Sequence, residues 1–190
     1  MIPRDQALKV LADLVTDEIV VAVYQSCFDW AAIRPRDLNY VSTGAMGQAS
    51  SHGLGLALGR PDKRVLVFDG DGSLLMNLGS LVTVATAAPP NLVHFVFENG
   101  CYEVNGGHPI PGAGKVDFAG FARAAGYRAA HRFDDLDAFR AAAPDLVAAE
   151  GPVFVCLRIV PGAPYPRDYG WMHSPEVRER FRRALRESAG

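Results

Sequence analysis

Cysteine is scarce in this 190-residue chain: Cys27, Cys101 and Cys156 are all there is. They are odd in number, far apart and free of any Cys-x-x-Cys pair. That excludes a disulfide framework, a thiolate zinc site and an iron–sulfur cluster, and it fits free thiols in a reducing compartment. A charge excess of either sign is also lacking, with 19 Lys and Arg against 21 Asp and Glu for a formal net charge of −2. Nucleic-acid binding through a basic surface therefore has no support. No apolar run approaches the roughly 18 residues of a membrane span. The opening Met1-Ile2-Pro3-Arg4-Asp5-Gln6 has no apolar signal core. Repeats, linkers and low-complexity segments are missing too. What is present is a 49% apolar, 21% charged composition, enough to bury a real core. The expectation is a soluble, cytoplasmic protein with one domain over residues 1–190.

Four short apolar runs, Glu18–Tyr24, Arg64–Phe68, Leu92–Phe97 and Val153–Ile159, read as strands buried on both faces. Asn39–Ser42 and Tyr127–His131 read as two lesser strands. Helical spacing falls between them: Asp5–Val15, the small-residue stretch Gly44–Gly59, Leu74–Ala88 stopped by Pro89-Pro90, Asp117–Ala125 ended by Gly126, and Asp134–Ala149, which Pro144 divides. Val160–His173, with three prolines and two glycines, reads as a wrapping loop. From Ser174 the tail has helix-start chemistry and then an arginine-rich helix, either a solvated face or a partner-docking one. Strands alternating with helices give a doubly wound α/β fold whose mostly parallel sheet has about six strands.

Two loops carry the chemistry. One follows Arg64–Phe68 and holds Gly70-Asp71-Gly72-Ser73; the other follows Leu92–Phe97 and opens with Asn99, 28 residues after Asp71. If the two strands are parallel neighbours, both loops leave the carboxyl edge of the sheet, where open α/β sheets bind ligands. Mg²⁺ takes about six oxygen ligands. Asp71 offers a carboxylate, Asn99 an amide oxygen and Cys101 a backbone carbonyl, leaving room for two phosphate oxygens and a water. Gly70 and Gly72 let the backbone approach phosphates, and the N–H groups of Gly72, Ser73 and Leu74 form an anion site at a helix start. Either turn alone says little; the pair at this spacing points to a metal-bridged diphosphate.

The same residues resemble the thiamin diphosphate signature. The chain is similar to the small-subunit decarboxylases of that superfamily, the sulfopyruvate decarboxylase beta subunit and the matching half of phosphonopyruvate decarboxylase. The likeness lies in Gly44-Ala45-Met46-Gly47 with its continuation to Leu58, in Asp69 through Leu81, and in Asn99 through His108. It implies that Asp71, Asn99 and the Cys101 carbonyl hold Mg²⁺ and that Gly70, Gly72 and Ser73 touch the diphosphate. It further implies that Gly44, Ala45 and Tyr102 belong to the cofactor site, with the Gly44 carbonyl accepting from the 4′-amino group. Met46 corresponds to the bulky residue wedged under the cofactor. His108, in the glycine loop, is expected to transfer a proton or touch substrate.

The family also needs a glutamate on the aminopyrimidine, carried by a separate pyrimidine-binding domain that has no counterpart in this sequence. The expectation is half an active site, completed by a pyrimidine-binding, alpha-type partner that supplies the glutamate. The reaction implied is decarboxylation of a small 2-oxo acid; the alternatives are a carboligase subunit making an acyloin or acetolactate-type product, or a non-catalytic regulatory subunit of the same fold. Gln25 and Asp29 replace a glycine and a basic residue of the family pattern, and His108 replaces a glutamine. An aspartate facing the substrate would repel a phosphonate or sulfonate, so Asp29 argues for a less anionic 2-oxo acid.

Overall fold

The computed structural model describes residues 1–42, 46–161 and 165–188. In chain order its elements are β1 (Ile2–Pro3), α1 (Arg4–Leu14), β2 (Ile19–Val23), α2 (Tyr24–Ile33), β3 (Asn39–Ser42), α3 (Ala49–Gly59), β4 (Val65–Gly70), α4 (Asp71–Met76), α5 (Ser80–Ala87), β5 (Leu92–Glu98), β6 (Cys101–Tyr102), a 3₁₀ turn at Glu103–Asn105, β7 (His108–Pro109), α6 (Phe118–Ala125), β8 (Ala129–Phe133), α7 (Leu136–Ala148), β9 (Val153–Val160), α8 (Tyr169–His173) and α9 (Pro175–Glu187).

Seven of the strands form one parallel sheet. Its order runs β3-β2-β4-β5-β9, and β9 carries two short strands end to end along its outer edge, β8 beside Val153–Leu157 and β1 beside Ile159 and Val160. β6 and β7 make a separate antiparallel ribbon. Every residue of β2 and β5 is buried, as expected of parallel strands covered on both faces. Alternate residues serve alternate layers. Val20, Ala22, Leu66, Phe68, Val93 and Phe95 pack with α1, α2 and α7. Val21, Val23, Val65, Val67 and Val96 pack with α3, α5 and α6. This is a doubly wound sheet. β3 lies on one side of β2 and β4 on the other, so the winding reverses between β2 and β4, which opens a crevice at their carboxyl ends.

Several boundaries differ from the sequence reading. No loop intervenes after β4: Asp69 and Gly70 complete the strand and α4 begins at Asp71. The span 74–88 is two helices, because Asn77–Gly79 interrupts it and the Asn77 side chain donates to the Gly47 carbonyl (3.0 Å). Pro144 sits inside an unbroken α7. The supposed wrapping loop holds α8, whose Met172 is fully buried. The tail helix α9 starts where expected, with Ser174 Oγ accepting from Val177 N–H.

Candidate functional site

A cleft of about 60 Å³ lies at the carboxyl ends of β2, β4 and β5, and its walls include Tyr24, Met46, Gly70, Asp71, Ser73 and Asn99. Asp71 is its centre. The side chain is 2% exposed, and Oδ1 accepts from its neighbour Gly72 N–H (2.8 Å). Oδ2 accepts from Gly100 N–H (2.7 Å), so the β4 and β5 ends are tied together at the carboxylate. Asn99 stands beside it: its Oδ1 accepts from Cys101 N–H (3.0 Å) and its Nδ2 donates to Glu103 Oε2 (3.0 Å). Burial pushes the Asp71 carboxyl up to about 6, against the opposing pull of the Gly100 and Gly72 amides. Among the described residues no Lys or Arg pairs with it.

Glycine matters at two positions. Gly72 faces the Tyr102 ring so closely that a Cβ would lie 2.6 Å from Cδ1. Gly47, at φ +79°, takes a conformation that suits glycine. Its N–H donates to Ser73 Oγ (3.0 Å) and its carbonyl accepts from Asn77, so one contact from α4 and one from the residue that caps it fix the main chain beside Met46. Tyr24, at φ +44° where β2 becomes α2, is a non-glycine residue in left-handed backbone on the cleft wall. Such outliers concentrate at functional sites.

The structure thus brings Met46, Gly70, Asp71, Gly72, Ser73, Asn99, Cys101 and Tyr102 to one cleft. Gly44 and Ala45 lie outside the described residues. His108 is not drawn in: it is exposed on β7, opposite Tyr102 in the ribbon. Burial pushes the Cys101 thiol up, away from the thiolate a nucleophile needs.

Asp29 does not do what its place in the sequence suggested. It is 1% exposed and lies off the cleft wall, with Oδ2 held by Arg4 Nε (2.6 Å) and Oδ1 by Gln25 Nε2 (2.7 Å). It is paired with Arg4, which it shares with Glu103, and it is not among the residues of the cleft wall. Arg4 is the residue that sequence reasoning missed. It lines the cleft from the start of α1, and its Nη1 and Nη2 donate to Glu103 Oε2 and Oε1 (2.5 and 3.1 Å). Burial works against the Arg4 charge, but Glu103 and Asp29 outweigh it and raise its pKa. Arg4 stands 25 and 99 positions from its partners, a separation with no local sequence signal.

A hard divalent cation fits this donor set. One buried carboxylate with only main-chain partners and one amide oxygen match oxygen-seeking Mg²⁺. Among the described residues no cluster of three or more His, Cys, Asp or Glu offers a metal site elsewhere.

A parallel sheet that collects a buried carboxylate, an amide and close-approach glycines at its winding reversal is an α/β domain with a site suited to an anionic ligand and a hard cation. Residues 22–157 match the thiamine pyrophosphate enzyme family, C-terminal TPP binding domain, and the chain belongs to that family. It is 41% identical over 175 residues to a phosphonopyruvate decarboxylase from Streptomyces viridochromogenes, covering 92% of this chain and 44% of that one. It is 36% identical over 163 residues to the sulfopyruvate decarboxylase subunit beta of Methanothermobacter thermautotrophicus, covering 85% of this chain and 84% of the relative. The chain therefore spans less than half of the first relative and most of the second. The fold is shared with benzoylformate decarboxylase from Polynucleobacter necessarius, at TM-score 0.67 and 22% identity over 86% of this chain and 34% of the other.

Proposed function

We propose that this chain is the diphosphate-binding part of a thiamin diphosphate- and Mg²⁺-dependent decarboxylase of small 2-oxo acids, forming residues 1–190 as one domain. The observation that carries this reading is the Asp71 carboxylate held across to Gly100 N–H with Asn99 beside it, at the junction of β4 and β5. When bound, thiamin diphosphate supplies a carbon nucleophile and then an electron sink for the pair released with carbon dioxide. The chain's own part is binding and shaping. Asp71, Asn99 and a main-chain carbonyl at Cys101 hold the cation. Gly70 leaves open space where a Cβ would meet nothing within 4 Å, room for a phosphate. Met46, fixed through Gly47, supports the bend of the cofactor.

The remaining wall and the activating glutamate come from a pyrimidine-binding partner. The Methanothermobacter relative is named as a beta subunit, and the two Streptomyces phosphonopyruvate decarboxylases hold this region as less than half of a longer protein. Since Asp29 is paired with Arg4 and lies off the cleft wall, it does not itself argue against an anionic end group on the substrate. The relatives' names, phosphonopyruvate and sulfopyruvate decarboxylase, make such acids the first to try.

Calorimetry on the assembled pair tests this. Thiamin diphosphate is expected to bind only with Mg²⁺, and Asp71→Ala is expected to abolish retention. Turnover of 2-oxo acids is expected to yield carbon dioxide and the aldehyde. Cofactor binding indifferent to Mg²⁺, or coupled product in place of aldehyde, would overturn the reading.

A further inference from the structure

Asn99 presents two nearly equivalent ends, an oxygen that can ligate a cation and an NH₂ that would repel it. Only one orientation is useful, and contacts at both ends select it: Cys101 N–H donates to Oδ1 at 3.0 Å, and a carboxylate faces the NH₂. Nδ2 donates to Glu103 Oε2 at 3.0 Å. An ionised carboxylate accepts and cannot donate, so it rejects the reversed amide. Arg4 holds Glu103 in place through two contacts in fork geometry. Arg4 is the one buried Lys or Arg among the described residues, and its Nε is anchored on Asp29, itself held by Gln25. Arg167 adds a weaker contact to Glu103 Oε1 at 3.5 Å. Arg4 comes from a segment outside the 22–157 family match.

We propose that Arg4 and Glu103 are a positioning pair for the cation site: Arg4 fixes Glu103, and Glu103 fixes the Asn99 amide with its oxygen toward the cation. The inference rests on the functional reading above and assigns to that site two residues that are not themselves ligands. Removing Arg4 leaves Asp29 without its cation and Glu103 with the weaker Arg167 contact, and replacing Glu103 by glutamine leaves a neighbour that accepts either end of Asn99, with Cys101 N–H as the remaining selector.

The test is Mg²⁺ titration of the chain assembled with its partner, at saturating thiamin diphosphate, followed by calorimetry. Arg4→Met and Glu103→Gln are each expected to weaken Mg²⁺ binding by about tenfold or more, the range typical of groups that orient a metal ligand. Melting curves accompany each titration, and Glu103→Gln carries the test should Arg4→Met fail to fold. The decisive variant is the double replacement Asn99→Asp with Glu103→Gln. A carboxylate has two equal oxygens and needs no orienting, so Glu103→Gln is expected to cost Mg²⁺ affinity when residue 99 is Asn and to cost little when it is Asp, measured against Asn99→Asp alone. The same loss from Glu103→Gln in both backgrounds, or unchanged affinity in both single variants, overturns the positioning role and leaves the functional reading standing. Loss of any Mg²⁺ requirement in the unmodified complex overturns both.

Discussion

At the scale of single residues, Asp71 links ligand binding to pH. Its carboxyl sits at about 6 in the fold, against an ordinary 3.8. The folded chain therefore holds this proton more tightly than the unfolded chain does. Stability from this group is complete below about pH 3.8 and is lost as pH rises through about 6, a loss of up to about 3 kcal/mol. In metal-free protein, Asp71→Asn is expected to remove this fall from the curve of melting temperature against pH between 4 and 7.5; parallel curves would refute the assignment. A cation favours the ionised form, so Mg²⁺ affinity is expected to weaken below about pH 6, as calorimetry at stepped pH would show. Residue identity was legible here and residue environment was not. Asp71 and Asn99 stand out because glycines and apolar runs flank them. Asp29 was misread because its partner, Arg4, is remote in sequence and no local pattern reveals a buried pair.

The elements show the same division. β2, β4, β5 and β9 were plain in the sequence because parallel strands covered on both faces read as unbroken apolar runs. β1 was not, being two residues made a strand by pairing with Ile159 and Val160. The start of α4 was read as a loop because glycines beside an aspartate suit a turn as well as a helix entry. The small residues of α3 were legible as a sign of close approach, and Gly53 bears this out: a Cβ there would lie 2.3 Å from Val67 Cγ2. Gly53→Ala is expected to destabilise the fold by about 1–3 kcal/mol. Adding Val67→Ala should recover part of that loss, measured by urea denaturation; strict additivity of the two would show that α3 and β4 are not in contact as described.

Across the whole molecule, α9 closes the free edge beside β3. Phe181 packs edge-on against Tyr40 (5.2 Å), Arg180 pairs with Asp37, and Arg60 bonds the carbonyls of Leu185 and Ser188. At least one arginine of this helix therefore has a structural task. Phe181→Ala is expected to cost about 3 kcal/mol while leaving Mg²⁺ affinity unchanged, since the ring is remote from the cleft walls. A matching loss in calorimetry would mean that edge and cleft are coupled. Among the described residues no helix is long and apolar enough to cross a membrane.

The two contacts that Ser73 and Asn77 make with Gly47 are to its peptide N–H and carbonyl. A peptide group cannot be swapped by mutation, so harm done at Ser73 or Asn77 has no compensating change available at Gly47. Suppressors of such lesions should therefore map elsewhere, and statistical pairing of alignment columns should overlook this junction however strongly natural selection guards it.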